Sequence, residues 1–433
     1  MVNHLIENEV FELDKKGSKE TDSFIGERVP DSKRQPWIGI AAIYFGMTAA
    51  LSSFSAGGSL TTGLNLIDAI LAAAIGSILL IIMFFIPMGY IGAKEGLNTY
   101  VIGEYVFGKK ATNIITGLVI AVLPGIGFYG VQVTIAAEAV NQMIGIGQLT
   151  TLFIIILGIL FVLPSVFGIT SMKWLDYISI PAILLIVVYG FVKVINITGM
   201  EGVFSYTPDT EKSVFWGANL ILGASIAGAS FSPDYTRWIR SDLKSVTYTG
   251  ATGIIVPKIG LTIVGSAMAL TATTLGVNEP WDIAQVLAAL GVPSLAMILV
   301  VLLQWSTNMV GAYSGGVALT KIFGWKRSWW TFIVALLGTV LALIGILDVF
   351  IPFLNILSSF IPPVASIIIT EYFIVSKRRL KTKGNYYWPA IIIWLIGGIS
   401  SLLIPVFIPA INGFIISMIG YYLFHKFIEY RKL

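Results

Sequence analysis

Ser306, Thr307 and Asn308 stand side by side in the run Leu303-Gln-Trp-Ser-Thr-Asn308, flanked by Leu, Val and Met. Two adjacent hydroxyls and an amide in an apolar stretch are groups that must find polar company. Hydroxyl and carbonyl oxygens without a carboxylate suit a weakly held monovalent cation, whereas a divalent ion takes carboxylates. The same Ser-Thr pair can instead bond back to carbonyls of its own helix. A second set is Phe128 and Gln132 in Pro124-Gly-Ile-Gly-Phe-Tyr-Gly-Val-Gln132. Four residues apart, they share a helix face. An aromatic plate with an amide one turn away can stack on and hydrogen-bond a flat heterocycle; ordinary packing, with glycines permitting close helix approach, is the plainer alternative. Lys258 follows Pro257 in a third apolar run. It is a possible proton or charge site, because a lysine within a membrane is costly and is kept for a reason. It can pair with a carboxylate, ease an anionic substrate or carry a proton; it can also snorkel to a wet vestibule.

Other chemistries are poorly provided for. The chain has no cysteine, and its two histidines are His4 and His425. Thiolate metal sites and cysteine nucleophiles are excluded, and no transition-metal site or cofactor is expected. Apart from His425 near the end of the last one, the apolar runs lack His, Cys and paired carboxylates, so the chain does not read as an enzyme. A channel filter or charged ring is not evident either. Glu138, Asp234, Arg237 and Glu371 lie near the ends of apolar runs and read as interfacial or structural charges.

The elements that position these groups are membrane spans. Of 433 residues, 56% are hydrophobic and 12% charged, and mean hydropathy is +0.87. A soluble domain carries about 25% charged residues. Runs of about 20 apolar residues fall near 37–64, 67–92, 111–143, 150–169, 174–195, 213–236, 247–274, 290–322, 329–348, 350–375, 387–404 and 409–427. All Lys and Arg except Lys193, Lys212 and Lys258 then lie on one side, which the positive-inside rule makes cytoplasmic. The net charge of +4 therefore reflects topology and gives no reason to expect nucleic acid. Residues 1–36 form a polar cytoplasmic tail with no apolar signal-peptide core, and 428–433 a cytoplasmic C-terminus.

Two spans read as broken. Gly46 to Gly58 in the first and Gly223 to Ser230 in the sixth lose the bulky side chains a membrane helix would carry. Spans one to five (37–195) and six to ten (213–375) run in opposite senses. Inverted repeats with interrupted first helices describe a LeuT-type architecture with its site at the midplane. The expected fold is thus an all-α polytopic membrane protein of twelve transmembrane helices. It has a LeuT-type 5+5 inverted repeat plus two peripheral helices, 387–427. Carbonyls exposed by the first break tip the reading of Ser306 and Thr307 toward a cation site.

An ordered set of motifs resembles the nucleobase–cation symporter-1 (purine–cytosine permease) family. It comprises Val29-Pro30 with Lys33-Arg34, Gly57-Gly58 with Thr62-Gly63-Leu64, and Gly92-Ala-Lys94 with Gly96-Leu97. It continues through Pro233-Asp-Tyr235 with Arg237, Trp305 to Asn308, and Ile361-Pro-Pro-Val364 with Glu371-Tyr372. The resemblance implies a multi-pass plasma-membrane symporter that imports a nucleobase or related heterocycle with Na+ or H+. Allantoin, a hydantoin, a pyrimidine precursor or an amino acid is the alternative cargo. It implies a cation site, for Na+ first, of the Gly46, Ala49 and Leu303 carbonyls with the Ser306 and Thr307 side chains. Phe128 stands for a stacking tryptophan and Asn308 for a binding asparagine. Gln132 matches the glutamine of the hydantoin carriers, and Gly125 stands where cytosine carriers have theirs. Ser225 replaces the sixth-span phenylalanine, and Phe54, Phe231 or Tyr129 is left to supply the second aromatic.

Overall fold

Residues 24–144, 149–208, 210–274, 293–404 and 408–430 are described in the computed structural model. The first 23 residues of the tail, the first residues expected for span eight and the last three residues lie outside them. Among the described residues the chain is helical, with a single isolated bridge between Gln35 and Ile239. Eight helices there are long and apolar enough to cross a membrane: Leu66–Glu95, Asn113–Asn141, Thr150–Phe167, Ile169–Phe204, Leu243–Thr271, Met297–Phe323, Asn355–Val375 and Pro409–Ile428. Four shorter apolar helices, Ile38–Thr48, Val214–Gly223, Arg327–Leu343 and Trp388–Leu403, occupy the places of spans one, six, nine and eleven.

Spans one and six are short because both break where expected. Span one stops at Thr48. Ala49 (ψ 42°) and Ala50 (φ −84°, ψ 158°) leave the helix, which resumes as Leu51–Leu60. Span six stops at Gly223, turns at Ser225 (φ −127°, ψ 2°) and resumes as Ile226–Ser230 and Pro233–Thr236. The polar groups freed by the breaks are met by protein. The Ser53 hydroxyl donates to the Thr48 carbonyl at 2.6 Å, and the Tyr44 hydroxyl bridges to the Gly228 carbonyl at 3.3 Å. This is how irregular backbone is tolerated at membrane depth.

Span five begins at Ile169 rather than near 174, and the loop after span two holds a further helix, Thr99–Phe107. Spans eleven and twelve pack on span ten, with Trp394 Nε1 donating to the Phe360 carbonyl (2.9 Å) and the Ser366 hydroxyl to the Phe414 carbonyl (2.6 Å). Their outer faces are apolar and exposed, as at Leu403 and Leu423, which suits lipid contact.

The N-terminal segment seals one end of the bundle. Val29 N–H donates to the Gly96 carbonyl (2.9 Å), Gln35 N–H to Trp238 (2.8 Å), Asn98 Nδ2 to Ile25 (2.7 Å) and Arg237 Nη1 to Phe24 (2.7 Å). Asp234 accepts from the Thr99 N–H at 2.9 Å. Asp234 and Arg237, read as interfacial or structural charges, thus tie span six to the loop after span two and to the tail. Gly96 ends span two with φ +66°, and a Cβ there would lie 2.9 Å from the Val29 carbonyl oxygen. A left-handed alanine costs about 1–2 kcal/mol. Gly96→Ala is expected to lower the apparent unfolding temperature and expose the N-terminal segment to protease. Unchanged unfolding and cleavage profiles would remove that segment from the closure.

Candidate substrate cavity and cation site

A cavity of about 730 Å³ lies between the two breaks. Span eight presents Gln304, Thr307, Asn308 and Gly311 to it, the i, i+3, i+4, i+7 stripe of one helix face. Span three presents Pro124, Gly125, Phe128 and Gln132. The first break supplies Met47, Thr48, Ala50 and Ser53, and the sixth supplies Gly223, Ser225, Gly228 and Phe231. The cavity continues past Asn355, Ser359 and Ser401, toward the face opposite the N-terminal seal. Spans eleven and twelve, expected only as peripheral additions, reach this far end through Ser401 and Pro409.

Four of the five expected substrate-binding residues meet at the wall. Phe128 stands edge-on to Phe353, with ring centroids 5.5 Å apart at 73°. Gln132 and Asn308 are buried, and Gln132 Oε1 and both Asn308 amide atoms have no hydrogen-bond partner. A buried polar atom without a partner marks a place where water or ligand belongs. The fifth, Phe54, is a correction: it is fully buried in the core and absent from the wall. Gly265 of span seven packs against its backbone, on the side of span one away from the cavity. Phe231, just after the short sixth-span helix, lines the cavity instead, as does Tyr129, whose hydroxyl donates to the Gly158 carbonyl. Gly125 approaches span eight so closely that a Cβ would lie 2.7 Å from the Gly311 carbonyl oxygen. A glutamine does not fit there, so Gln132 and Gln304 are the cavity's glutamines.

The wall carries no Asp, Glu, Lys, Arg or His among the described residues. Lys258 sits immediately behind it, 1% exposed, which removes the snorkelling alternative. Its Nζ donates to Ser225 Oγ at 2.9 Å and to Ser53 Oγ at 3.3 Å. Ser53 passes a hydrogen bond on to the Thr48 carbonyl. One lysine on span seven therefore ties the two breaks together through hydroxyls rather than through a carboxylate.

The adjacent hydroxyls of span eight diverge. Thr307 Oγ1 donates to the Leu303 carbonyl at 2.9 Å, the expected back-bond, and lies 3.3 Å from the Met47 carbonyl at the first break. Its lone pairs remain available for an ion. Ser306 turns the other way, fully buried, and its hydroxyl faces the Asp176 carboxylate without a hydrogen bond of regular geometry. The Ser306 Cβ lies 3.1 Å from where a Cβ on Gly46 would stand. Gly46, Leu303, Ser306 and Thr307 thus come together beside the break, which Ala49 forms. Contrary to the expectation of a carboxylate-free site, Asp176 of span five shares this place: its Oδ1 lies 2.1 Å from the same Gly46 Cβ position. Asp176, against Gly46, and Gln304 and Asn219, which line the cavity, are positions the sequence did not single out.

Residues 28–423 match a family described as permeases for cytosine/purines, uracil, thiamine and allantoin. The chain is 30% identical to the cytosine permease of Escherichia coli strain K12 over 81% of each chain. It is 26% identical to the hydantoin permease of Microbacterium maritypicum, over 81% of this chain and 76% of that one. Among solved structures, Mhp1, a nucleobase-cation-symport-1 family transporter in a closed conformation with bromovinylhydantoin bound, superposes with TM-score 0.79. It is 22% identical and covers 92% of this chain and 93% of Mhp1. A Na+-coupled sialic acid symporter in an outward-open state superposes with TM-score 0.67 at 14% identity, over 99% and 98% of the two chains. These two likenesses agree with the interrupted, inverted-repeat bundle described above.

Proposed function

The chain belongs to the family of permeases for cytosine/purines, uracil, thiamine and allantoin, and from that premise we propose that it is a cation-coupled symporter importing a nucleobase or related flat heterocycle by alternating access. The carrying observation is an uncharged cavity with aromatic rings Phe128 and Phe231, the unpartnered Gln132 Oε1 and the unpartnered amide of Asn308. Rings supply stacking area for a flat ligand. Amides supply one donor and one acceptor face each, the complement of an imide or amino-ketone edge. An amino acid would bring an ammonium to a wall without a carboxylate, and an unpaired buried charge is costly. A hydantoin or allantoin presents the same imide edge as a nucleobase and is the second reading, favoured by Gln132.

The coupling ion, in this reading Na+, joins the first break to span eight through Gly46, Ala49, Leu303, Ser306 and Thr307. That contact holds spans one and eight together while the cavity is open on the face away from the N-terminal seal. A ligand shifts such an equilibrium only by its differential affinity for the two states. In this reading the protein lies in the plasma membrane with both termini in the cytoplasm, the side the basic loops favour, and the open face is extracellular. Nothing in this cycle requires bond-making chemistry by the protein.

The test is radiolabelled uptake into proteoliposomes under an imposed sodium gradient. Wild type should accumulate cytosine or a hydantoin only with the gradient. Thr307→Ala should need about tenfold more sodium for half-maximal uptake, the effect of one charge-assisted contact worth about 1.5 kcal/mol. Gradient-independent uptake by wild type, or an unchanged sodium requirement in the variant, would contradict the cation assignment.

A further inference from the structure

We propose that Asp176 is a direct, anionic ligand of the coupling cation, making the oxygen cage at the first break charge-neutral when a monovalent ion is bound. This rests on the cation-site reading above. Asp176 is the eighth residue of Ile169–Phe204, about 10 Å inside that helix's start at 1.5 Å per residue. Its exposure is 0%. Neither carboxylate oxygen receives a hydrogen bond of regular geometry. An ionised carboxylate held this way is among the costliest groups a protein can bury, unless a cation or proton meets it.

The surroundings indicate a cation. Gly46 lacks the Cβ that would lie 2.1 Å from Asp176 Oδ1 and 2.8 Å from its Cγ. The carboxylate therefore rests directly on span one, one turn before the break. Ser306 stands beside it: its buried hydroxyl faces the Asp176 carboxylate without a hydrogen bond of regular geometry, and its side chain meets the same Gly46 position. No lysine or arginine among the described residues is ion-paired with Asp176. Lys173, one turn earlier, reaches Gln35, and Lys258 is held by Ser53 and Ser225. No group of three His, Cys, Asp or Glu side chains among the described residues offers a divalent site. One carboxylate with neutral carbonyl and hydroxyl oxygens matches a hard monovalent cation in charge and donor type.

The experiment is equilibrium binding of 22Na+ to the purified full-length protein. Wild type, Asp176→Asn, Asp176→Glu and Thr307→Ala are compared, each checked for a monodisperse detergent complex. Asp176→Asn should weaken 22Na+ binding at least tenfold, and Asp176→Glu, which keeps the charge, should bind more tightly than the amide. Asp176→Asn with wild-type 22Na+ affinity, while Thr307→Ala loses it, would overturn this proposal and leave the cation site standing. Wild-type affinity in both, or no 22Na+ binding by wild type, would overturn the two together. Cytosine binding that tracks acidification rather than sodium, with that dependence lost in Asp176→Asn, would make the carboxylate a proton acceptor and also overturn it.

Discussion

Asn308→Ala is expected to weaken heterocycle binding on the order of 100-fold. Asn308 is 2% exposed, and both ends of its amide point at no protein partner. Its neighbours on the same face, Gln304, Thr307 and Gly311, all line the cavity, so the amide is not a helix-packing group turned inward by chance. A hydrogen bond left unmade in a buried site costs about 1–3 kcal/mol. Loss of a donor and an acceptor together strands two polar atoms of the bound heterocycle. Sites that read hydrogen bonds reject mismatches far more strongly than apolar pockets do. Titration calorimetry with cytosine or a hydantoin, at fixed saturating sodium, reads this effect. Affinity within about threefold of wild type would remove Asn308 from the binding edge.

Lys258→Met is expected to separate stability from transport. Removing a fully buried ammonium relieves desolvation, so the ligand-free protein should unfold at the same or a higher temperature. Transport should nevertheless fall about 10- to 100-fold, because hydrogen bonds from a charged donor are worth about 1.5–3 kcal/mol and two are lost. The loss falls on Ser53 and Ser225, which lie at the first and sixth breaks and both face the cavity. Their hydroxyls would turn, and the two half-broken helices would lose their common tether. Thermal unfolding and initial uptake rates from one preparation decide the matter. A variant that unfolds earlier and transports in proportion to its folded fraction would return Lys258 to a structural role.

How much of this was legible beforehand follows from what each signal depends on. The breaks were readable because small-residue runs inside long apolar segments have no other use in lipid, and they fall at Ala49–Ala50 and Ser225. Thr307 and Asn308 were readable because polar groups stand out against Leu and Val. Phe54 was misplaced because helix phase is lost across a break; residues after Ala50 cannot be assigned a face by counting from residues before it. Asp176 was overlooked for a different reason. A span starting near 174 puts it at the interface, where a carboxylate is unremarkable. The helix starts at Ile169 and carries it inward, against Gly46 and Ser306. Phe231 was one of three aromatics left open, and the turn after the short sixth-span helix is what brings it to the wall.

The central claim is that one cavity binds a flat neutral heterocycle and that a monovalent cation at the first break strengthens that binding. The most direct measurement is calorimetric binding of cytosine, with a hydantoin and an amino acid as comparators, to the purified full-length protein in sodium and in choline. The predicted result is binding of a heterocycle and not of the amino acid, tighter by about tenfold or more in sodium. Equal affinity in sodium and choline, or binding of the amino acid in preference to both heterocycles, would contradict it.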